Sequence, residues 1–313
     1  MANNYNSIQQ VPNALKIFML IGTFLKVIGF TLMAQVITAL AFKIVAGQEL
    51  DLSQLATADP ELLRKAFMTS QFAGASVGLV VLPFLYIYFL KPDIKELLSP
   101  QKSHLPEYFV IALLVFLASV PVMSWVIEWN KNLRLPASFF TLEQWMLTTE
   151  KSLEELTNII VIYNSFSSFI ACLVVIALLP AISEELVFRG IMQNEFNQVL
   201  RNPHIAIWLS AFFFSFVHFQ FYGFVPRMLL GALFGYLYYW SGSIYTSMFL
   251  HFVNNTISLL TLNFQQKHII NFDPEAADNF PVSVVVVSVG LSAFFLFFYY
   301  RLSKKEKQSF NEA

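Results

Sequence analysis

The sequence predicts an all-α, polytopic membrane protein with about eight transmembrane helices. Two observations carry that prediction. The chain of 313 residues is 57% hydrophobic and only 12% charged, with 34 Phe, and its mean hydropathy is +0.60. A soluble domain carries about 25% charged residues. A spanning helix needs roughly 20 mainly apolar residues, and eight runs of that kind stand at about 16–45, 69–90, 107–127, 158–182, 203–220, 225–241, 243–264 and 281–301.

Each element has its own reason. The first fifteen residues are polar and lack a basic n-region, and the apolar run after them is too long for a signal h-region. That run therefore reads as a first spanning helix that also inserts the chain. It holds Lys26 and Lys43, so it is expected to tilt or to project beyond the bilayer. The second, third and eighth runs carry no further signature. Residues 184–200 are mixed in polarity and read as a helix joining the fourth and fifth spans. No soluble domain, repeat or low-complexity tract is visible. The expected organisation is a polar tail at 1–15, helices and loops at 16–157, a core at 158–264, and a last helix with a basic tail at 265–313.

Charge limits the partners. A net charge of −1 argues against a general nucleic-acid footprint, which needs clustered Lys and Arg, and leaves membrane lipid and a membrane-associated substrate. Loop 91–106 holds Lys91, Lys95 and Lys102, and the tail holds Arg301, Lys304, Lys305 and Lys307. The loops at 46–68, 128–157 and 265–280 are richer in acid, although Arg64, Lys65, Lys131 and Arg134 fall there. The positive-inside rule then places both termini in the cytoplasm. Cys172, the single cysteine, cannot form an internal disulfide and reads as a small hydrophobe.

Ionisable side chains at membrane depth cost several kcal/mol unless paired or hydrated, so they are functional candidates. They fall in one segment: Glu184, Glu185 and Arg189 in "AISEELVFRG", His218 in "FFFSFVHF", and His251 in "FLHFVNNT". Glu185 and Arg189 stand four apart with the acid N-terminal, the favourable order for a helical ion pair. Glu184 points about 100° away from that pair and is the carboxylate left to act on water. Phe214 lies four before His218 and walls it. Asn255 lies four after His251, so both can donate to a common point. With turns near Asn202-Pro203 and Ser241-Gly242-Ser243, Glu184 and His218 reach similar depth at 1.5 Å per residue. His251 comes about half as deep, and a kink at Pro180 is one way to close the gap.

Plainer readings compete. A lone histidine in an apolar helix is commonly a satisfied core residue. Ser183 could cap a new helix with the glutamates in its first turn. Gly231 and Gly235 in "GALFG" read as close helix packing. The "NNT" sequon at 254–256 lies inside an expected span and is set aside.

The ordered set resembles the CPBP (Abi) family, the type II CAAX prenyl endopeptidases and their bacterial relatives. The family pattern EExxxR, FxxxH, HxxxN/D is matched by Glu184-Glu185 with Arg189, by Phe214 with His218, and by His251 with Asn255. The resemblance covers about 158–264. It implies an eight-helix intramembrane protease acting on a membrane-associated or lipidated peptide. In it Glu184 would be the base for the attacking water, and His218 would help hold that water. His251 and Asn255 would stabilise the oxyanion, with Glu185, Arg189 and Phe214 supporting the site. Zinc is the cofactor left open: His218, His251 and Glu184 could ligate it. Yet no HExxH helix is present, and Asn255 suits an oxyanion better than a metal. Two other classes stay in view. One is a proton-coupled transporter, against which stands the absence of a repeat in the other half. The other is a non-catalytic immunity or chaperone factor on the same scaffold.

Overall fold

The structure, a computed structural model, describes residues 12–47, 59–90, 105–270 and 280–312. Most of the expected tail at 1–15 and nearly all of the basic loop at 91–106 lie outside the described residues. Among the described residues the chain is helical throughout, with no strand. The helices are α1 (Asn13–Ala46), α2 (60–90), α3 (Leu105–Lys131), α4 (Phe140–Ile160), α5 (Phe166–Leu200), α6 (Pro203–Phe216), α7 (Phe224–Ser241), α8 (Ile244–Gln266) and α9 (Val282–Glu312).

Helix boundaries follow local chemistry. Asp59 accepts a hydrogen bond from Glu61 N at 3.1 Å, and Pro60 opens α2 where its missing N–H costs nothing. Ser165 forms a capping box with Ser168 at the start of α5. Asn202 accepts from the N–H groups of His204 and Ile205 at 3.0 and 3.2 Å, again with proline at the first position of α6. Gly242, at φ 65°, ends α7 in the left-handed region. The turns expected near Asn202-Pro203 and Ser241-Gly242-Ser243 are therefore present.

Among the described residues five helices are long and apolar enough to cross a membrane: α1, α2, α3, α5 and α9. The expected count of eight is not confirmed, and the helices that fall short do so for a physical reason. Helix α6 is apolar but has only 14 residues. Helices α7 and α8, at 18 and 23 residues, include polar side chains such as Arg227 and Tyr236 on α7 and His251 and Asn255 on α8, and are less apolar. The structure also moves the fourth span. Residues 140–160 form a separate amphipathic helix with Glu143, Glu150, Glu154 and Glu155, too charged to cross. The span starts at Phe166 and runs without a break to Leu200, absorbing the stretch read as a joining helix.

Helix α5 also shows how proline is absorbed. A π-helical stretch at Leu173–Leu178 precedes Pro180, and Leu179 N donates to Val174 O, five residues back. A second π-helical stretch covers Leu186–Gln193. The α-helical segment between them, Leu179–Glu185, carries both glutamates. Ser183 is in its middle and donates to Pro180 O at 3.3 Å, so it caps nothing.

Packing places α5 centrally. Its first half lies on α8, its second half on α6 and α1, while α6 pairs with α7 and α3 with α9. The small residues of α7 permit this. A Cβ on Gly231 would come within 3.1 Å of Phe214, and one on Gly235 within 2.8 Å of Gln193. Helices α1 and α9 turn apolar side chains such as Phe18 and Val286 outward, as lipid contact requires. Cys172 is buried and free.

Candidate functional site

The site begins with a buried ion pair. Arg189 Nη1 donates to Glu185 Oε1 at 2.8 Å, four residues apart as the spacing predicts. Both side chains are sealed off, at 1% and 0% exposure. Arg189 Nη2 donates to Gly231 O at 2.7 Å. Its guanidinium lies 4.9 Å from the Phe214 ring centre and 5.6 Å from that of Phe234. A buried charge needs such full partnering to persist.

Glu185 has a second partner. His251 Nδ1 lies 2.8 Å from the same Oε1 atom. The carboxylate is paired with Arg189 and accepts only, so Nδ1 must carry the hydrogen. His251 is thereby fixed in one tautomer and boxed by Phe214 and Phe234, whose ring centres stand 5.9 and 5.3 Å away. His218 follows the same logic with a different acceptor. Its Nδ1 lies 2.6 Å from Phe214 O, and a carbonyl also only accepts. The Phe214 ring sits 5.0 Å from the His218 ring, as the four-residue spacing predicts.

Both histidines consequently turn Nε2 toward Glu184. The Nε2 atoms of His218 and His251 lie 3.8 and 3.7 Å from Glu184 Oε2. These separations are too long for direct hydrogen bonds. In the neutral form each Nε2 is a lone pair. Three acceptors therefore converge from α5, α8 and the turn that follows α6, with no donor between them. A water, with two O–H groups, suits such a gap.

Glu184, His218 and His251 are thus brought together as the sequence predicts. Asn255 stands apart from that group. It lies one turn beyond His251 on α8, and its Nδ2 faces Ala177 O at 3.5 Å, a weak contact. Sequence reasoning missed the His251–Glu185 contact and the wall made by Phe234. The first joins residues 66 apart, which no local spacing reveals. The second lay inside "GALFG", read only for its glycines. Among the described residues no group of three or more His, Cys, Asp or Glu side chains is placed to hold a metal ion.

Known proteins place this segment. A relative, "Uncharacterized protein YpbD" of Bacillus subtilis (strain 168), is 26% identical over 97 residues, 30% of this chain and 47% of that protein. The chain thus matches about half the length of that relative. No solved structure matches. Residues 166–257 match the model of a family described as type II CAAX prenyl endopeptidase Rce1-like. That range holds all three motifs, and over it the chain is similar to the Rce1-like proteins.

Proposed function

We propose that the chain is an intramembrane endopeptidase that hydrolyses a peptide bond of a membrane-associated or lipidated peptide. The observation that carries this reading is the convergence of Glu184 and two Nε2 lone pairs on one point. A water there donates one hydrogen to Glu184 and the other to a histidine nitrogen. Glu184 takes a proton as the water oxygen attacks the carbonyl carbon. The carbonyl electrons move onto oxygen, and the oxyanion is met by Asn255 Nδ2 and His251. Because His251 Nδ1–H is committed to Glu185, His251 can donate from Nε2 only as an imidazolium that has already taken a proton from solvent, and the second hydrogen of the attacking water is then accepted by His218 Nε2. Glu185 is placed to stabilise that cation. Collapse of the intermediate breaks the C–N bond, and Glu184 returns its proton to the departing amine. Positioned acid–base transfer of this kind contributes about 10²–10⁴-fold.

No step is routed through a metal, and the proposal includes turnover without one. The test is cleavage of a lipidated, internally quenched peptide by purified protein, before and after exhaustive chelation, with Glu184→Gln as control. Cleavage that survives chelation and disappears in Glu184→Gln supports the reading. Activity that vanishes with the metal and returns in proportion to added zinc would replace Glu184 chemistry with zinc chemistry.

A further inference from the structure

We infer that Asn130, on α3 and outside the matched range 166–257, is a positioning residue that sets where His218 stands. This rests on the proteolytic reading above. His218 lies outside any helix. Helix α6 ends at Phe216 and α7 begins at Phe224, so His218 belongs to the turn between them. The helical hydrogen bonds give out there. His218 N and Phe219 N reach back only three residues, to Ser215 O and Phe216 O, each at 3.3 Å. Phe219 then turns the chain at φ 53°, in the left-handed region, which a bulky residue adopts only where its surroundings impose it. Yet the site leaves His218 little latitude. Its Nε2 lies 3.8 Å from Glu184 Oε2, and a shared water must come within about 2.7–3.2 Å of both.

The turn is held from outside. Asn130 is buried in the last turn of α3, at 2% exposure. Its Nδ2 donates to Phe221 O at 3.1 Å, and its Oδ1 accepts from Val225 N at 2.7 Å. One side chain thus ties the end of the turn to the start of α7, across 91 and 95 positions of sequence. It also supplies what α7 lacks. The first N–H groups of a helix have no partner within it, and Gly223, at the N-cap of α7, has no side chain to offer them. Asparagine is a strong capping residue, and here it caps from another helix. Two further bonds complete the frame. Ser215 Oγ donates to Phe224 O at 2.7 Å, and Glu150 of α4 accepts from Tyr222 N at 3.0 Å. Asn130 alone among these three makes two bonds, so its loss strips partners from a main-chain carbonyl and a main-chain N–H at once. Phe221 is three residues from His218, so the chain between them passes on any shift. Misplacing a positioned group by about 1 Å costs about 10²-fold in rate.

The experiment uses the full chain in phosphatidylcholine nanodiscs, with isotopically labelled histidine, and the lipidated, internally quenched peptide as probe. The ring signals of His218 and His251 in magnetic resonance are assigned with His218→Gln and His251→Gln. Asn130→Ala should lower kcat by about tenfold to a hundredfold with KM little changed. It should shift the His218 ring signals and leave those of His251 in place. Asn263→Ala is the control for a merely structural loss. Asn263 is as buried, at 1% exposure, and donates to Val161 O at 3.1 Å from the last turn of α8. Its loss should lower stability and change neither kcat nor the ring signals. Asn130→Asp covers the case in which Asn130→Ala does not fold. It keeps an oxygen to cap α7 but loses the donor to Phe221 O, so kcat should again fall and the His218 signals should again shift. Wild-type kcat in a folded Asn130 variant, or His218 signals that stay in place, would overturn the assignment. So would a loss of the same size in Asn263→Ala. If the wild type does not cleave the peptide, the proteolytic reading fails. The ring signals then decide alone: a His218 shift confined to the Asn130 variants upholds the positioning role, and no shift removes it.

Discussion

Helix α5 carries two polar clusters about 16 Å apart along its axis, and they differ in one respect. Around Glu195 every carboxylate oxygen faces a donor. Thr23 Oγ1 donates to Oε2 at 2.6 Å, Lys26 Nζ donates to the same atom, and Tyr86 OH donates to Oε1 at 2.6 Å. Lys26 also donates to Tyr86 OH at 2.9 Å. Charge and hydrogen bonds close on themselves and join α1, α2 and α5. Around Glu184 the neighbours are acceptors, and nothing closes until a water or a proton arrives. One residue type at membrane depth is thus a fastener in one place and an open site in the other.

Glu184→Gln should break this contrast most strongly. Turnover should fall by about 10²–10⁴-fold, while thermal unfolding stays near wild type, because Glu184 has no committed partner to lose. Glu195→Gln should do the reverse. It leaves Lys26 without its countercharge, costing about 1.5–3 kcal/mol, and the folded fraction should keep its turnover. If Glu184→Gln unfolds the protein instead, the two clusters do not differ in kind.

Glu185 sharpens the comparison, since it is closed like Glu195 yet touches the site. Glu185→Gln leaves Arg189 buried without its carboxylate, a loss of about 3–5 kcal/mol. It also frees His251 Nδ1. Unfolding measurements and turnover should fall together. A Glu185→Gln protein that melts like wild type would show that Arg189 is held by Gly231 O and the aromatic rings alone.

Asn255 comes next. As an oxyanion donor its loss should cost on the order of 10²–10³ in kcat, about 3–4 kcal/mol, with KM little changed. Asn255→Ala has a weak ground-state contact to lose, the 3.5 Å approach to Ala177 O. Stability should therefore move little. An Asn255→Ala protein with wild-type kcat would leave the oxyanion to His251.

Much of the open cluster was legible because helical spacing encodes it. The four-residue intervals between Glu185 and Arg189, and between Phe214 and His218, survive as contacts at 2.8 Å and 5.0 Å. Counting residues from the turns brought Glu184 level with His218, although it left His251 about half as deep. The closed cluster was not legible. Glu195 and Lys26 are 169 positions apart, and their meeting depends on how α1 lies against α5. A signal existed nonetheless: a lysine within an apolar span needs an acid, and Glu195 stood inside another apolar stretch. Reading 184–200 as a joining helix hid it. The π-helical stretches bracketing the glutamates were also invisible, because they are set by packing around Pro180 and Arg189 rather than by composition.

Tyr86→Phe gives the smallest expected effect and the finest probe of the comparison. It removes the donor to Glu195 Oε1 and the acceptor for Lys26, but leaves the Lys26–Glu195 pair and the Thr23 bond intact. Charge stays balanced, so the loss should be a single hydrogen bond to a charged group, about 1.5 kcal/mol. Denaturant titration of the purified protein in detergent should show that shift. Turnover of the folded fraction should not change, because the cluster reaches the site only through the backbone of α5. A Tyr86→Phe protein of wild-type stability but reduced kcat would mean that the fastening of α1 and α2 sets the position of Glu184. The fastener and the open site would then be one device, coupled along the three turns of helix between them.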